Sequence, residues 1–174
     1  ASLRIKEFGF VFQQTHLVSN LTLFENIAVA GYAEGGRKAK EVQDKVRELL
    51  AGMCVEDAAM RFPSQVSGGE AQRAAIARAV INRPSMVFAD EPTGALNKSN
   101  SEEVLGLLSV LHKDGQSIVM VTHDVRAALY GTRILYMEDG RILDELAIGK
   151  YEEKDGEVAS YQKAREKKIM DWLS

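Results

Sequence analysis

The chain has 174 residues, 45% of them hydrophobic and 27% charged, which is a balance typical of a globular domain with a real core. Its formal net charge of -3 gives no electrostatic reason to expect nucleic acid as a partner. A single cysteine, Cys54, excludes an intrachain disulfide framework and fits a reducing compartment. The apolar runs are too short to cross a bilayer, so we expect any role at a membrane to be peripheral.

The first part of the chain predicts a strand followed by helices. Phe8–Phe12 is short, aromatic and β-branched, which predicts a strand that ends at Gln13. Thr22 and Glu25 stand at capping-box spacing and predict a short helix through Ala30. A second, amphipathic helix is indicated by apolar residues at helical spacing, namely Val42, Val46, Leu49 and Leu50.

The middle of the chain predicts a loop, a helix, a strand and a further helix. Pro63–Glu70 predicts a loop that turns into a helix running to about Asn82. The continuous apolar run Met86–Ala89 is typical of a buried parallel strand. Ser99 and Glu102 have capping-box spacing, which predicts the start of the next helix.

The last third predicts one more core strand, a hairpin and a tail. Ile118–Val121 is a second apolar run and predicts a second buried strand. Arg133–Glu145 predicts a β-hairpin that turns at Asp139–Gly140. From Tyr151 onward the chain is rich in charge, and we expect a helix that lies on the core with Trp172 as its anchor.

Strands that alternate with helices indicate an α/β fold with a parallel sheet. The mostly helical stretch before Asn82 has the character of an insertion between two strands of that sheet. We therefore expect residues 1–13 and 83–150 to form the sheet portion, residues 14–82 a helical subdomain, and residues 151–174 a C-terminal tail.

Polar side chains follow the predicted parallel strands at the point where each strand ends. Gln13 follows the first strand, Asp90 and Glu91 the second, and His123 the third. Ligands of open α/β sheets bind at this edge, and neighbouring strand residues point in opposite directions. One carboxylate could therefore bind a magnesium shell while the other orients a water molecule. A solvated strand end for the acidic pair, and a capping or packing role for His123, are the ordinary alternatives.

The stretch SGGE, Ser67–Glu70, has the features of an anion-binding helix start. Ser67 can cap the helix, while Gly68 and Gly69 let a ligand approach the backbone amides. Free amides and the helix dipole favour a bound anion at such a terminus. An ordinary flexible helix start is the alternative.

Four stretches of the sequence together resemble a known family. FVFQQ, VSGGEAQRAAIARA, VFADEPTGALN and VTHD occur in this order at proportionate spacings. The pattern resembles the nucleotide-binding subunit of ABC transporters from its glutamine loop to its C-terminus. The resemblance implies a P-loop NTPase-like fold with ATP and Mg²⁺ as ligands and ATP hydrolysis as the activity.

The resemblance also implies a role for each site residue. Gln13 would be the glutamine-loop residue that contacts magnesium and water, and Asp90 the magnesium-site aspartate. Glu91 would be the general base and His123 the switch histidine near the γ-phosphate. Ser67–Glu70 would be the signature motif, which binds the nucleotide held by a second subunit.

The sequence departs from the family pattern at two points. No Gly-x-x-x-x-Gly-Lys-Ser/Thr loop is found, since the only Gly-Lys pair, Gly149–Lys150, has the wrong neighbours. In the family this loop lies upstream of the glutamine loop, so we expect a sheet without its first strands and weak or absent ATP binding by this polypeptide alone. Asn97 stands in the dimer-interface loop where most relatives carry Asp.

The partners implied are a second ATP-binding subunit and a membrane permease, which places the protein on the cytoplasmic face of a membrane. DEPTGAL and SGGE followed by QR are most similar to the subgroup of macrolide exporters, lipoprotein-release systems and bacitracin-type peptide-resistance transporters. Two alternatives remain open. One is a non-catalytic partner subunit that supplies only the signature helix, and the other is a DNA-repair ATPase, against which the short helical insertion and the acidic charge argue.

Overall fold

The computed structural model describes residues 7–151 and 158–174, which belong to two compact units, Ala1–Val121 and Thr122–Ser174. The strands of the first unit are β1 (Phe8–Phe12), β2 (Met86–Asp90) and β3 (Ser117–Val121). Its helices are α1 (Leu23–Ala33), α2 (Ala39–Gly52), α3 (Gly68–Val80) and α4 (Lys98–Lys113), with 3-10 turns at Glu56–Ala58 and Pro63–Gln65. The elements of the second unit are α5 (Val125–Ala128), β4 (Arg133–Glu138), β5 (Arg141–Ala147) and α6 (Val158–Leu173).

The first unit contains the predicted parallel sheet. β2 lies between β1 and β3, and both pairings are parallel. Phe12, Asp90 and Val121 stand side by side in the register, so the three strands end at one edge. The prediction of an α/β fold with a parallel sheet is confirmed.

Helices cover one face of this sheet. Val11, Val87 and Ala89 point to that face and are buried in the core. α3 packs against β1 so closely that a Cβ on Gly9 would lie 2.5 Å from the carbonyl oxygen of Ala79. Glycine at position 9 therefore permits the approach of helix and strand.

The opposite face is exposed, which corrects the prediction that β3 is a buried strand. Val119 and Val121 are 43% and 60% exposed, and the alternate residues of β1, Phe8 and Phe10, are also exposed. The rings of Phe10 and Phe88 stack on this face at 5.6 Å. The apolar run of β3 predicted that both faces of the strand are buried. In the described part of the unit, helices cover only one face of the sheet.

The start of α1 confirms the predicted capping box. The Thr22 amide donates to the Glu25 carboxylate at 2.8 Å, and the Glu25 amide donates to the Thr22 hydroxyl at 3.2 Å. These bonds satisfy two amides that have no acceptor inside the helix. The helix continues to Ala33, three residues beyond the predicted end, while α3 ends at Val80, two residues before Asn82.

The predicted capping box of Ser99 and Glu102 is wrong. α4 begins at Lys98, and its N-cap is Asn97, whose side chain accepts a hydrogen bond from the Asn100 amide at 2.9 Å. Ser99 lies within the first helical turn. A side-chain amide caps a helix as well as a hydroxyl does, and Asn97 stands two residues earlier.

The second unit contains the predicted hairpin and a C-terminal helix. Asp139 and Gly140 have φ angles of 48° and 74°, which are the left-handed values of a two-residue hairpin turn. The Trp172 indole donates to the Asp144 carboxylate at 2.8 Å and meets the Tyr136 ring edge-on. Trp172 therefore anchors the tail on the hairpin, while residues 152–157 of the predicted tail lie outside the described residues. Within the part of the chain that the structure describes, no helix has the length and apolarity to span a membrane.

Substitution of Asn97 tests its role as the N-cap of α4. We expect Asn97→Ala to lower the free energy of unfolding by about 1 kcal/mol, because the Asn100 amide loses its acceptor. Asn97→Asp should retain the full stability, since a carboxylate caps equally well and is favoured by the helix dipole. Urea denaturation measures both, and equal stability of the alanine variant would contradict the capping role.

Candidate functional site

Asp90 and Gln13 lie beside each other at the carboxyl edge of the sheet. Asp90 is the last residue of β2 and pairs with Phe12, the last residue of β1, so Gln13 follows directly alongside. Both side chains are exposed. The parallel register therefore brings together two of the predicted site residues, each with an oxygen donor.

Glu91 begins a tight turn immediately after β2. Its amide donates to the Val121 carbonyl at 2.9 Å, and its own carbonyl accepts from the Gly94 amide at 3.0 Å. Its φ angle is 46°, in the left-handed region that non-glycine residues rarely adopt. Glu91 is therefore not a strand residue, and the expectation that strand alternation separates it from Asp90 is wrong. The turn, rather than the pleat, sets the direction of this carboxylate.

Gln13 packs against the loop that follows Glu91. A Cβ on Gly94 would lie 3.0 Å from both Cδ and Nε2 of Gln13, closer than ordinary contacts allow. The missing side chain at Gly94 therefore gives Gln13 its place. The structure thus brings Gln13, Asp90 and the Glu91 turn together in one unit.

The predicted capping residues organise the start of α3. The Ser67 hydroxyl accepts from the Glu70 amide at 3.2 Å, and the Ser67 amide donates to the Glu70 carboxylate at 2.7 Å. Hydrogen bonds to the Glu70 carboxylate from Ser67, chiefly from its backbone amide and next from its side chain, lower the pKa of Glu70 below its ordinary value. The first amides of a helix have no acceptor within it, so the chain leaves this terminus ready for an anion.

The two glycines of this helix start lie against the Glu91 loop and α4. A Cβ on Gly69 would lie 2.7 Å from the side chain of Asn100, whereas one on Gly68 would only touch Leu96 at 3.4 Å. Gly69 is buried and Gly68 is exposed. Position 69 therefore requires glycine for packing, while glycine at position 68 leaves the exposed helix end open.

Two residues of α3 that the sequence analysis did not select hold the Gln13 segment in place. Gln72 is 1% exposed, and its side-chain amide donates to the Phe12 carbonyl at 3.0 Å. The Arg78 guanidinium donates to the carbonyls of Thr15 and His16, both at 2.7 Å. Burial lowers the pKa of Arg78 from its ordinary value, although a guanidinium stays charged in proteins. The sequence signal that could have identified these two residues is a polar side chain on the buried face of an alanine-rich helix.

His123 belongs to the second unit, where it is exposed in the turn that precedes α5. In this turn the Asp124 amide donates to the Thr122 hydroxyl at 3.0 Å, and Asp124 caps α5 by accepting from the Arg126 amide at 2.9 Å. The Arg126 side chain, hydrogen-bonded to Asp124, lowers the pKa of that carboxyl group. The local backbone of His123 is thus held on its C-terminal side by a capped turn.

The oxygen donors at the sheet edge suit a magnesium ion that is bound together with phosphate. Among the described residues, no group of three or more His, Cys, Asp or Glu side chains could hold a metal alone. Mg²⁺ commonly takes one or two protein ligands and fills its remaining positions with water and phosphate oxygens. Asp90 and Gln13 fit this donor set.

The parallel α/β sheet, with an acidic turn at its carboxyl edge and a glycine-rich helix start in the same unit, has the fold class of P-loop NTPase-like domains. A family model described as "ABC transporter" matches residues 2–94, and the chain belongs to this family. It is 40% identical over 148 residues to the macrolide export ATP-binding/permease protein MacB of Pasteurella multocida, covering 85% of this chain and 23% of that protein. The MacB protein of Shewanella sp. (strain W3-18-1) is 43% identical over 146 residues, or 83% of this chain and 22% of that protein.

Solved structures show the same fold. A dimeric structure of the bacterial ABC transporter cassette MJ0796 matches with a TM-score of 0.76 and 38% identity, over 86% of this chain and 66% of that one. A dimeric post-hydrolysis state of the same cassette, bound to ADP and Pi, matches with a TM-score of 0.75 and 37% identity, with the same coverage. The chain spans less than a quarter of the length of the curated relatives described above.

The left-handed backbone of Glu91 has a measurable consequence for stability. We expect Glu91→Gly to unfold with a free energy about 1 kcal/mol higher than Glu91→Ala, because only glycine adopts this conformation without steric cost. Urea denaturation of the two variants gives the difference. The pair Glu102→Gly and Glu102→Ala is the control, and there the order should reverse, since Glu102 lies inside α4. Equal stability of the two Glu91 variants would contradict the presence of backbone strain at Glu91.

The lowered pKa of Glu70 predicts how stability depends on pH. Between the folded and unfolded pKa values the unfolded chain binds more protons, so the contribution of Glu70 to stability rises with pH. It should be complete above the ordinary carboxyl pKa and lost as pH falls through the folded value. We therefore expect the stability advantage of the unsubstituted chain over Glu70→Gln at pH 7 to vanish in acid. A difference that stays constant in denaturation across the pH range would contradict this.

Proposed function

We propose that the complete protein containing this chain is the ATP-hydrolysing subunit of an ABC transporter, working on the cytoplasmic face of a membrane. The observation that carries the proposal is the single edge at which Gln13, Asp90 and the Glu91 turn meet. Membership of the ABC transporter family supports it. The division into a sheet portion, a helical subdomain and a tail is part of the same proposal.

In this proposal the acidic edge handles the nucleotide and the attacking water. Asp90 and Gln13 hold Mg²⁺, which when bound neutralises charge on the phosphates of ATP. Glu91 orients the water molecule and accepts its proton, and the hydrogen-bonded turn fixes the point at which its side chain leaves the backbone. His123 supplies a hydrogen bond to the γ-phosphate.

The start of α3 would serve a nucleotide held by a second subunit. Ser67, Gly68 and Gly69 present a capped helix end with free amides and a favourable dipole to the γ-phosphate. The contact of Gly69 with Asn100 connects this helix end to α4 and its cap, Asn97. Closure of two subunits around ATP would therefore be transmitted to the Glu91 loop of the same chain. The solved relatives named above are dimers, which supports this arrangement.

A groove in the helical part of the first unit is the proposed contact for the permease. It has a volume of about 560 Å³ and is lined by residues of α1, α2, the first 3-10 turn and the segment after that turn, among them Phe24, Arg47, Leu50 and Met60. Arg47 covers the Phe24 ring at 5.8 Å. From the subgroup that the sequence resembles we infer an exported cargo of antibiotics, peptides or lipoproteins, and the relatives named macrolide export proteins support the first of these.

A non-catalytic subunit is the second candidate, and the exposed, capped helix start at Ser67 and Gly68 favours it, because such a terminus can bind an anion without the acidic edge. In that case Ser67–Glu70 would complete the site of a catalytic partner, and Glu91 would be dispensable.

Glu91→Gln in the complete protein distinguishes the two candidates. If Glu91 is the general base, the variant should lose ATP hydrolysis by at least about a hundredfold while MgATP binding is retained. Glu102→Gln is the matched control, since Glu102 is an exposed carboxylate within α4. Full hydrolysis by Glu91→Gln would reject Glu91 as the general base, whereas a lack of hydrolysis by the unsubstituted complete protein would favour the non-catalytic candidate.

Gly68→Asp tests the signature helix through dimerisation. An added Cβ at Gly68 makes only ordinary contact, so the fold should tolerate the change, whereas a carboxylate there would repel the partner's nucleotide. We expect Glu91→Gln to dimerise with MgATP in a light-scattering measurement and Glu91→Gln/Gly68→Asp to stay monomeric. Dimers of the double variant would contradict the role in trans.

A further inference from the structure

The C-terminal helix α6 carries a buried arginine. Arg165 is 6% exposed. Its guanidinium lies 5.7 Å and 5.5 Å from the ring centres of Tyr151 and Tyr161, which also contact each other at 5.8 Å. It also donates to the Tyr161 hydroxyl at 3.1 Å. A buried guanidinium requires many acceptors, because leaving its N–H groups unpaired away from water is costly.

Main-chain carbonyls from two segments supply the other acceptors. On the α5 side, Nε donates to Leu129 at 2.8 Å and Nη2 to Gly131 at 2.6 Å. On the other side, Nη1 donates to Ile148, just after β5, at 3.0 Å. One side chain therefore joins the end of α5 to the end of the hairpin.

α5 depends on such external contacts because it is a single turn. It comprises only Val125–Ala128, and a helix this short is not stable without partners. Asp124 caps its N-terminus, and Arg165 takes up carbonyls beyond its C-terminus that no helical amide reaches. His123 directly precedes the cap, so α5 fixes the backbone of His123 on its C-terminal side.

We propose that Arg165 is a positioning residue for His123: it fixes α5 from the tail helix and thereby fixes the turn that presents the imidazole. The catalytic consequence rests on the role of His123 in the proposed function. The fork of a guanidinium reaches Leu129 and Gly131 at once, which the single ammonium of lysine does not do with the same geometry. The contact therefore requires the forked guanidinium of arginine, and a positive charge alone is not sufficient.

Arg165→Lys in the complete protein is the test, because it retains the charge and removes the fork. Three amides report on α5, since Leu129, Tyr130 and Gly131 donate to Val125, Ala127 and Ala128. We expect their hydrogen exchange to become at least about tenfold faster. The ring resonances of His123 should shift, and kcat for ATP hydrolysis should fall about tenfold or more with KM unchanged.

Lys168→Met is the matched control on the same helix. Lys168 is exposed and donates to Ala147, a residue of β5, at 2.9 Å. Its loss removes one carbonyl contact of α6 without touching α5. The exchange of the α5 amides, the His123 resonances and kcat should all stay as in the unsubstituted protein.

The fluorescence of Trp172, the only tryptophan of the chain, shows whether α6 stays on the hairpin. Unchanged α5 exchange and unchanged His123 resonances in Arg165→Lys would overturn the proposal. If the Trp172 signal also changes, Trp172→Phe decides, because it loosens the end of the tail and leaves Arg165 in place. Protected α5 amides in Trp172→Phe support the proposal, and exposed ones overturn it by assigning the effect to the tail as a whole.

The outcome for the proposed function is read separately. Full hydrolysis by His123→Ala would reject the catalytic role of His123, whatever Arg165 does. A shift of the His123 resonances in Arg165→Lys would still establish the positioning contact. The two failures are therefore distinguishable.

Discussion

The candidate site of the first unit depends on the hydrogen bond from the buried Gln72 side chain to the carbonyl of Phe12. Gln72 lies on the face of α3 that packs against β1, and Phe12 is the last strand residue before Gln13. The bond therefore ties the helix that starts at the glycine pair to the strand that presents Gln13. Both elements of the site are placed by one contact in the core.

The physics of buried polar groups makes this contact specific. A primary amide in an apolar core costs several kcal/mol when its hydrogen bonds are lost, whereas a bonded one is near neutral. Rotation or sliding of α3 by one residue would remove Gln72 from Phe12 and also drive Gly69 out of its fit against Asn100. Apolar packing alone tolerates such shifts better, since it is not directional. The polar contact and the glycine contact together specify one arrangement.

Elements governed by local chemistry were predictable from the sequence, and those governed by surroundings were not. The capping box at Thr22, the Asp139–Gly140 turn and the strand before Gln13 follow from short-range rules that need no partner. The left-handed backbone of Glu91 depends on its bond to Val121 in the next strand. The exposure of β3 depends on what covers the sheet, which an apolar run does not reveal. The sequence shows that Asn97 departs from the family pattern, but its role as an N-cap depends on where α4 starts.

The predicted site residues can be recognised in the sequence, whereas the residues that hold their segments in place cannot. Gln13, Asp90, Glu91 and the signature glycines have a recognisable order, so a family resemblance identifies them. Gln72, Arg78 and Arg165 have no such pattern, because each recognises main-chain carbonyls, which every residue of the chain possesses. Only the three-dimensional structure shows which carbonyls they reach.

The same device recurs in both units. In the first unit, Arg78 donates hydrogen bonds to the carbonyls of Thr15 and His16, which follow Gln13. In the second unit, Arg165 donates to the carbonyls of Leu129 and Gly131, which follow His123 and α5. Because the acceptors are backbone atoms, side chains in the held segments can change without loss of the contact. The arginines are less replaceable, since a shorter or unforked donor does not reach both carbonyls with the same geometry. The segments next to Gln13 and His123 are thereby held by arginines of α3 and α6, whose own positions in the sequence carry no sign of these contacts.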